Sequence, residues 1–163
     1  MRIACIIVHN LAIQVAAASA PCLRGQALVI GGLPFEAKPV YDASPEAIAR
    51  GVKVGMPLRE AYALCPEAKF LASDEANYRQ AFEEVANVLE RFSPVVDIEK
   101  PGCAYIDVSG LCDGVSLCIE VLRQISGETG LSACLGVSGG KFFSRVAALT
   151  SKPATPVIVS PGE

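Results

Sequence analysis

The sequence predicts an α+β fold: an open, ferredoxin-like sheet with helices on one face. Three observations predict it. Residues 3–8 are a continuous apolar run rich in β-branched side chains, which suits a strand central in a sheet. Residues 95–108 form two extended runs around the turn dipeptide Pro101-Gly102, a β-hairpin. Helical apolar stripes at 74–92 and 115–125, with a further strand at 132–137, complete the order strand, helix, hairpin, helix, strand.

Taken in order, the first strand alternates, so Ile3, Cys5, Ile7 and His9 share one face while Ala4, Ile6 and Val8 share the other. Residues 11–20 are alanine-rich and stop at Pro21, a helix. Residues 27–30 are a strand ended by Gly31-Gly32. Residues 38–41 are a second short strand, with Pro39 suited to an edge. Ser44-Pro45-Glu46 has the form of an N-cap, a proline at the first helical position and an acidic first turn, opening a brief helix that ends at Gly51. Another helix follows at 58–64, closed by Cys65-Pro66. Tyr78, Phe82, Val85, Leu89 and Phe92 recur at spacings of three and four, the core face of a long helix. In the hairpin Ala104, Ile106 and Val108 share one face and Cys103, Tyr105 and Asp107 the other. Gly139-Gly140 opens a last helix with exposed N–H groups, a generic anion site, and 157–159 is a final strand.

Composition narrows the function classes. The 163 residues suffice for one domain, or for a core carrying a small lobe. No apolar run approaches the roughly 20 residues of a membrane helix, and the N-terminal run is too short for a signal peptide, so a cytoplasmic protein without membrane contact is expected. Seven cysteines (5, 22, 65, 103, 112, 118 and 134) lack Cys-x-x-Cys spacing and mostly fall in apolar segments, which suits buried reduced thiols. His9 is the single histidine, so a zinc site is not expected. A net charge of −3 gives no support to nucleic-acid binding.

Three ordered motifs nevertheless carry a family resemblance. The hairpin stretch 100–107 resembles the "Ser-Ile-Asp-Glu-Ala-Tyr-Leu-Asp" of the Y-family translesion DNA polymerases. Glu46-Ala47 with Gly51-Val52-Lys53-Val54-Gly55-Met56-Pro57 resembles their fingers motif, and residues 136–147 with Ser151-Lys152-Pro153 their last palm motif. The resemblance implies a palm-like domain at 1–10 and 72–163 and a fingers-like insertion at 11–71, with the family continuing into thumb and little-finger domains beyond residue 163. It puts Gly102 and Cys103 at the Asp-Glu metal ligands and Ile7 at the leading Asp. A two-residue shift of that last register would put His9 there instead. It also puts Pro45 and Ile48 at the triphosphate-contacting Tyr and Arg, and Lys152 at a triphosphate-contacting lysine.

Two-metal phosphoryl transfer needs carboxylates converging on Mg²⁺ ions. Ile7, Gly102 and Cys103 offer none, and a thiol is a soft ligand where magnesium takes oxygen. Asp97 and Glu99 are expected on a solvated edge, Asp107 as a turn cap beside Ser109, and Cys103 as an inert thiol without a neighbouring base. The expectation is therefore a catalytically silent domain without cofactor and not an enzyme, similar to the inactive ImuB-like member of bacterial mutasome cassettes. It would serve as an adaptor in translesion synthesis whose implied partners are DNA, the sliding clamp, a RecA-like companion protein and a separate error-prone polymerase. The alternatives are an active low-fidelity polymerase using displaced carboxylates with Mg²⁺, or a ferredoxin-like interaction domain unrelated to DNA.

Overall fold

A β-branched run with no polar interruption needs partners on both edges, and residues 3–8 find them in the hairpin on one side and in the strand near residue 136 on the other. The structure, a computed structural model, describes residues 1–111 and 114–160. In chain order its elements are β1 (Ile3–Ile7), α1 (Leu11–Ser19), β2 (Leu28–Ile30), β3 (Asp42–Ala43), α2 (Pro45–Ala49), α3 (Leu58–Leu64), β4 (Lys69–Leu71), α4 (Glu75–Glu90), β5 (Val96–Lys100), β6 (Cys103–Asp107), α5 (Gly114–Thr129), β7 (Cys134–Ser138), α6 (Lys141–Thr150) and β8 (Val157–Ile158). They fall into two units, Met1–His9 with Arg79–Glu163, and Asn10–Tyr78.

The first unit is built on a five-stranded sheet in the order β5-β6-β1-β7-β8. The first four strands of that order are antiparallel neighbours, as in a ferredoxin-like sheet, and β8 adds in parallel to β7. Register fixes the two faces. Ile3, Cys5 and Ile7 of β1 cluster with Cys103 and Tyr105 of β6 and with Ala148 of α6. Ala4, Ile6, Ala104, Ile106, Leu135 and Val137 make the opposite face and are all buried. Helix α6 occupies the first face through its small residues Ser144, Ala147 and Ala148. Its approach is close at Gly136, the partner of Cys5, where an added Cβ would lie 2.2 Å from Ala148 N and 2.5 Å from Ser144 O. With α6 there, α4 and α5 are the helices left to cover the opposite face. They bury Phe82, Val85 and Leu89, and Val121, Leu122 and Ile125, and are tied to each other by Arg91 with Glu128.

The second unit is a smaller α/β lobe around a three-stranded sheet, β3-β2-β4, antiparallel on one side of β2 and parallel on the other. Val29, Val40, Ala43, Ala47, Val52, Leu58, Ala61 and Cys65 form its core. Ser44 joins sheet to helix: its buried Oγ accepts from Leu28 N at 2.8 Å and from Ala47 N at 3.4 Å, and donates to Gln26 O at 3.1 Å.

Two expectations need correcting here. The strand expected at 38–41 lies at Asp42–Ala43, because the backbone of Val40 is already engaged with residues 55–56, accepting from Gly55 N at 2.9 Å and donating to Met56 O at 2.8 Å. Of the thiols expected to be buried, Cys22 is exposed, Cys5, Cys65, Cys103, Cys118 and Cys134 are buried, and Cys112 lies outside the described residues. No helix among the described residues is long and apolar enough to cross a membrane.

Candidate functional site

The antiparallel pairing of β1 with β6 sets Ile7 directly opposite Cys103. Gly102 is next along the chain, in the turn between β5 and β6, with a φ of 98° that a side-chain-bearing residue adopts only under strain. Its carbonyl accepts from Val8 N at 2.9 Å, which locks the turn to the end of β1. The three positions aligned with metal ligands are therefore neighbours. Lys152 lies elsewhere in the same unit, exposed in a turn where Thr155 N donates to its carbonyl at 3.0 Å. Pro45 and Ile48 are exposed on α2 of the smaller lobe.

Around Ile7 and Cys103 the sheet face carries a network that sequence reasoning missed. Glu99 of β5 accepts from the Tyr105 hydroxyl at 2.9 Å and from the Arg145 guanidinium at 2.9 and 3.2 Å, and the Cys103 thiol lies 3.6 Å from the same carboxylate. Asp97, two residues earlier, is ion-paired with Lys141, whose ammonium stands 5.2 Å from the centre of the Tyr105 ring. Lys141 and Arg145 are one helical turn apart on α6, and Asp97 and Glu99 are two apart on β5, so each pair points one way. Those two spacings were visible in the sequence. The 44- and 46-residue separations between partners were what hid the pairing.

The hydroxyl of Tyr105 and the charge of Arg145 hold the Glu99 carboxyl below its ordinary value. Burial and the same Glu99 bond push the Tyr105 hydroxyl up. The Cys5 and Cys103 sulfurs are 3.9 Å apart. The contact between the two thiols draws Cys103 down, and that contact together with burial pushes Cys5 up. The expectation that Cys103 lacks a neighbouring base is thus corrected, since Glu99 stands beside it. Asp107 takes its expected place as a turn cap: its Oδ1 accepts from Ser109 N at 2.9 Å, and its carboxyl is held low by that bond and by the Ser109 hydroxyl.

These donors do not fit magnesium. Ile7 offers no donor atom, Gly102 no side chain and Cys103 sulfur, while the nearest carboxylates, Glu99 and Asp97, are already ion-paired to Arg145 and Lys141. Among the described residues no three His, Cys, Asp or Glu side chains converge in a way that would hold a metal ion.

A ferredoxin-like sheet with a lobe inserted after its first strand, and a site face at the β1–β6 pairing, define a polymerase palm-type fold. Solved structures share it. DinB from Sulfolobus solfataricus aligns over 99% of this chain and 49% of its own with a TM-score of 0.90 at 23% identity. A post-insertion binary complex of Dbh DNA polymerase aligns over 100% of this chain and 49% of its own with a TM-score of 0.91 at 23% identity. Residues 6–149 match the impB/mucB/samB (IMS) family, and the chain belongs to that family, of Y-family polymerase fold. Curated relatives include DNA polymerase IV of Listeria monocytogenes serotype 4b, 33% identical over 147 residues, covering 88% of this chain and 41% of the relative. DNA polymerase IV 2 of Mycobacterium bovis is 38% identical over 139 residues, 82% of this chain and 40% of the relative. The chain thus spans about two fifths of the length of the curated relatives it matches. Their name corrects the expectation of a protein that is not an enzyme: the relatives are named as DNA polymerases, which points to an enzyme of which this chain is a part.

Proposed function

We propose that this chain is the palm-like (1–10 and 72–163) and fingers-like (11–71) part of a Y-family polymerase-type protein that works on DNA in damage bypass. The observation that carries the reading is the family match over residues 6–149, joined to a fold that aligns with Y-family polymerases over nearly its whole length. The chain's own contribution is a rigid frame. The β1–β6 register and the lock between Val8 and Gly102 hold the site face, and the Lys141–Asp97 and Arg145–Glu99 pairs fasten α6 over it. The residues at positions 7, 102 and 103 do not suit magnesium.

A fluorescence-anisotropy titration of the full-length protein with primed DNA tests this. Saturable binding that weakens as salt rises is expected. Absence of binding at low salt would overturn the reading.

A second reading has its own support in the lack of carboxylate oxygens at Ile7, Gly102 and Cys103. In it the full-length protein acts as an adaptor, similar to the ImuB-like member of mutasome cassettes, and brings a sliding clamp, a RecA-like companion and a separate error-prone polymerase to damaged DNA. This concerns what the protein holds, not whether it catalyses. Co-sedimentation of the full-length protein with purified clamp and polymerase on primed DNA should give one complex, and separate migration of the three components would end the adaptor reading.

A further inference from the structure

The site face holds two thiols that the polymerase-type reading does not use. Cys5 of β1 and Cys103 of β6 are both buried, and their sulfurs stand 3.9 Å apart. They are not ladder partners: Cys5 lies opposite Tyr105 and Cys103 opposite Ile7, so the sulfurs meet on the diagonal of one sheet face. Ile3, Ile7 and Ala148 pack around them and hold them together.

The mouth of this cluster is polar. The Cys103 thiol donates to the Glu99 carboxylate at 3.6 Å, and the Glu99 and Arg145 side chains above it are 42% and 38% exposed. One layer of part-exposed side chains therefore separates the sulfur from solvent, which a reagent little larger than water can pass. A carboxylate to take the thiol proton and a second thiol within reach are what peroxide oxidation of a dithiol uses.

We propose that Cys5 and Cys103 are a redox pair that hydrogen peroxide closes to a disulfide, and that closure loosens the turn locked by Val8 and Gly102. In the first step the Cys103 sulfur attacks a peroxide oxygen while its proton passes to Glu99. The O–O bond breaks, and the departing hydroxide takes that proton and leaves as water, so that Cys103 becomes a sulfenic acid. In the second step the Cys5 sulfur attacks the Cys103 sulfur, the S–O bond breaks, and the hydroxyl leaves with the Cys5 proton as a second water. Two thiols and one peroxide thus give one disulfide and two waters, the sulfurs supplying the two electrons that reduce the peroxide.

Geometry ties this bond to the turn. Diagonal neighbours in a sheet are about 7–8 Å apart, whereas a disulfide accepts Cα separations of about 4.4–6.8 Å. Closing the bond pulls the start of β6 along β1 toward Cys5 and so draws the Gly102 carbonyl away from Val8 N, which it meets at 2.9 Å. The proposal does not depend on the DNA reading.

The test uses the full-length protein carrying Cys22→Ser, which removes an exposed thiol. After hydrogen peroxide, peptide mass spectrometry with fragmentation and without reductant should find Cys5 joined to Cys103, and dithiothreitol should undo the bond. In Cys5→Ala the second step is blocked, and dimedone, a reagent for sulfenic acids, should label Cys103. The Val8 amide should exchange with deuterium about 5-fold faster in the oxidised protein than in the reduced one, as the loss of one hydrogen bond predicts, with exchange in β2 unchanged. Absence of a Cys5–Cys103 bond in the folded protein overturns the pair. A bond that leaves Val8 exchange as it was overturns the switch.

Discussion

Two groups of cations, one in each unit, are treated in opposite ways. On the site face of the five-stranded sheet, Lys141 and Arg145 are matched one to one with Asp97 and Glu99. In the smaller lobe, Arg59 of α3 has no partner among the described residues and lines a cleft of about 480 Å³ with the exposed rings of Phe35 and Tyr62. A paired cation must give up its carboxylate before it can take a ligand, whereas an unpaired one loses only water. The cations of the sheet face are therefore committed to internal contacts, while Arg59 in the lobe is not.

The most severe way to break the sheet side is Gly136→Ala. The added methyl would overlap the backbone of α6, which has no flexible side chain to move aside, and a loss of about 3 kcal/mol in denaturant-induced unfolding is expected. A loss below about 0.5 kcal/mol would show that α6 is not seated as described. On the lobe side, Ser44→Ala removes the acceptor for Leu28 N and Ala47 N and should cost about 1–2 kcal/mol. Hydrogen exchange should then accelerate at residues 28–30 and 44–49 and stay unchanged in β1 and β6. Acceleration spread equally over both units would mean that they do not lose structure separately.

The pairing of charges was the part of this comparison that the sequence concealed. Local features were legible: the Pro101-Gly102 turn, the Ser44-Pro45 helix start, the apolar stripe of α4 and the Asp107 cap each depend on neighbours within a few residues. Strand β4 was not anticipated, because Lys69–Leu71 alternates weakly and acquires its role by pairing in parallel with β2, some forty residues earlier. The same holds for Glu99, expected on a solvated edge. Its strand is at the edge, but its carboxylate is engaged by a tyrosine from β6 and an arginine from α6. Long-range pairing is set by tertiary packing, and no local period reports it. The Phe35 cleft was missed for a related reason, since an isolated phenylalanine in a loop has no periodic signal and gains meaning only when α3 is placed beside it.

The site face can also be sharpened by supplying oxygen donors. The double change Ile7→Asp with Cys103→Glu, which leaves Gly102 in the positive-φ conformation that suits glycine, should increase divalent-ion binding measured by calorimetry above that of the unmodified protein. Equal heats from both proteins with Mg²⁺ would show that the frame does not direct those side chains to a common point. The smallest effect concerns acid. Because Tyr105 and Arg145 hold the Glu99 carboxyl below 4.5, its contribution to stability is complete above about pH 4.5 and is lost as pH falls through its lower folded-state value. Glu99→Gln should therefore flatten the decline of the melting temperature below pH 4.5. Parallel curves for the two proteins would show that the Glu99 contacts are not maintained in solution.

The backbone bonds that place Ile7 opposite Cys103 do not depend on what either side chain is. Strand parity alone decides which residues look toward the site, so a one-residue slip of β1 against its neighbours would deliver Ala4 and Ile6 to that face and send Cys5 and Ile7 to the other. Exchanging a residue in place alters nothing in the ladder. Geometry and reactivity are consequently specified by separate parts of the same strand: the spacing of its residues is rigidly constrained, while their chemical character at positions 7 and 103 can be rewritten one side chain at a time without rebuilding the sheet that holds them.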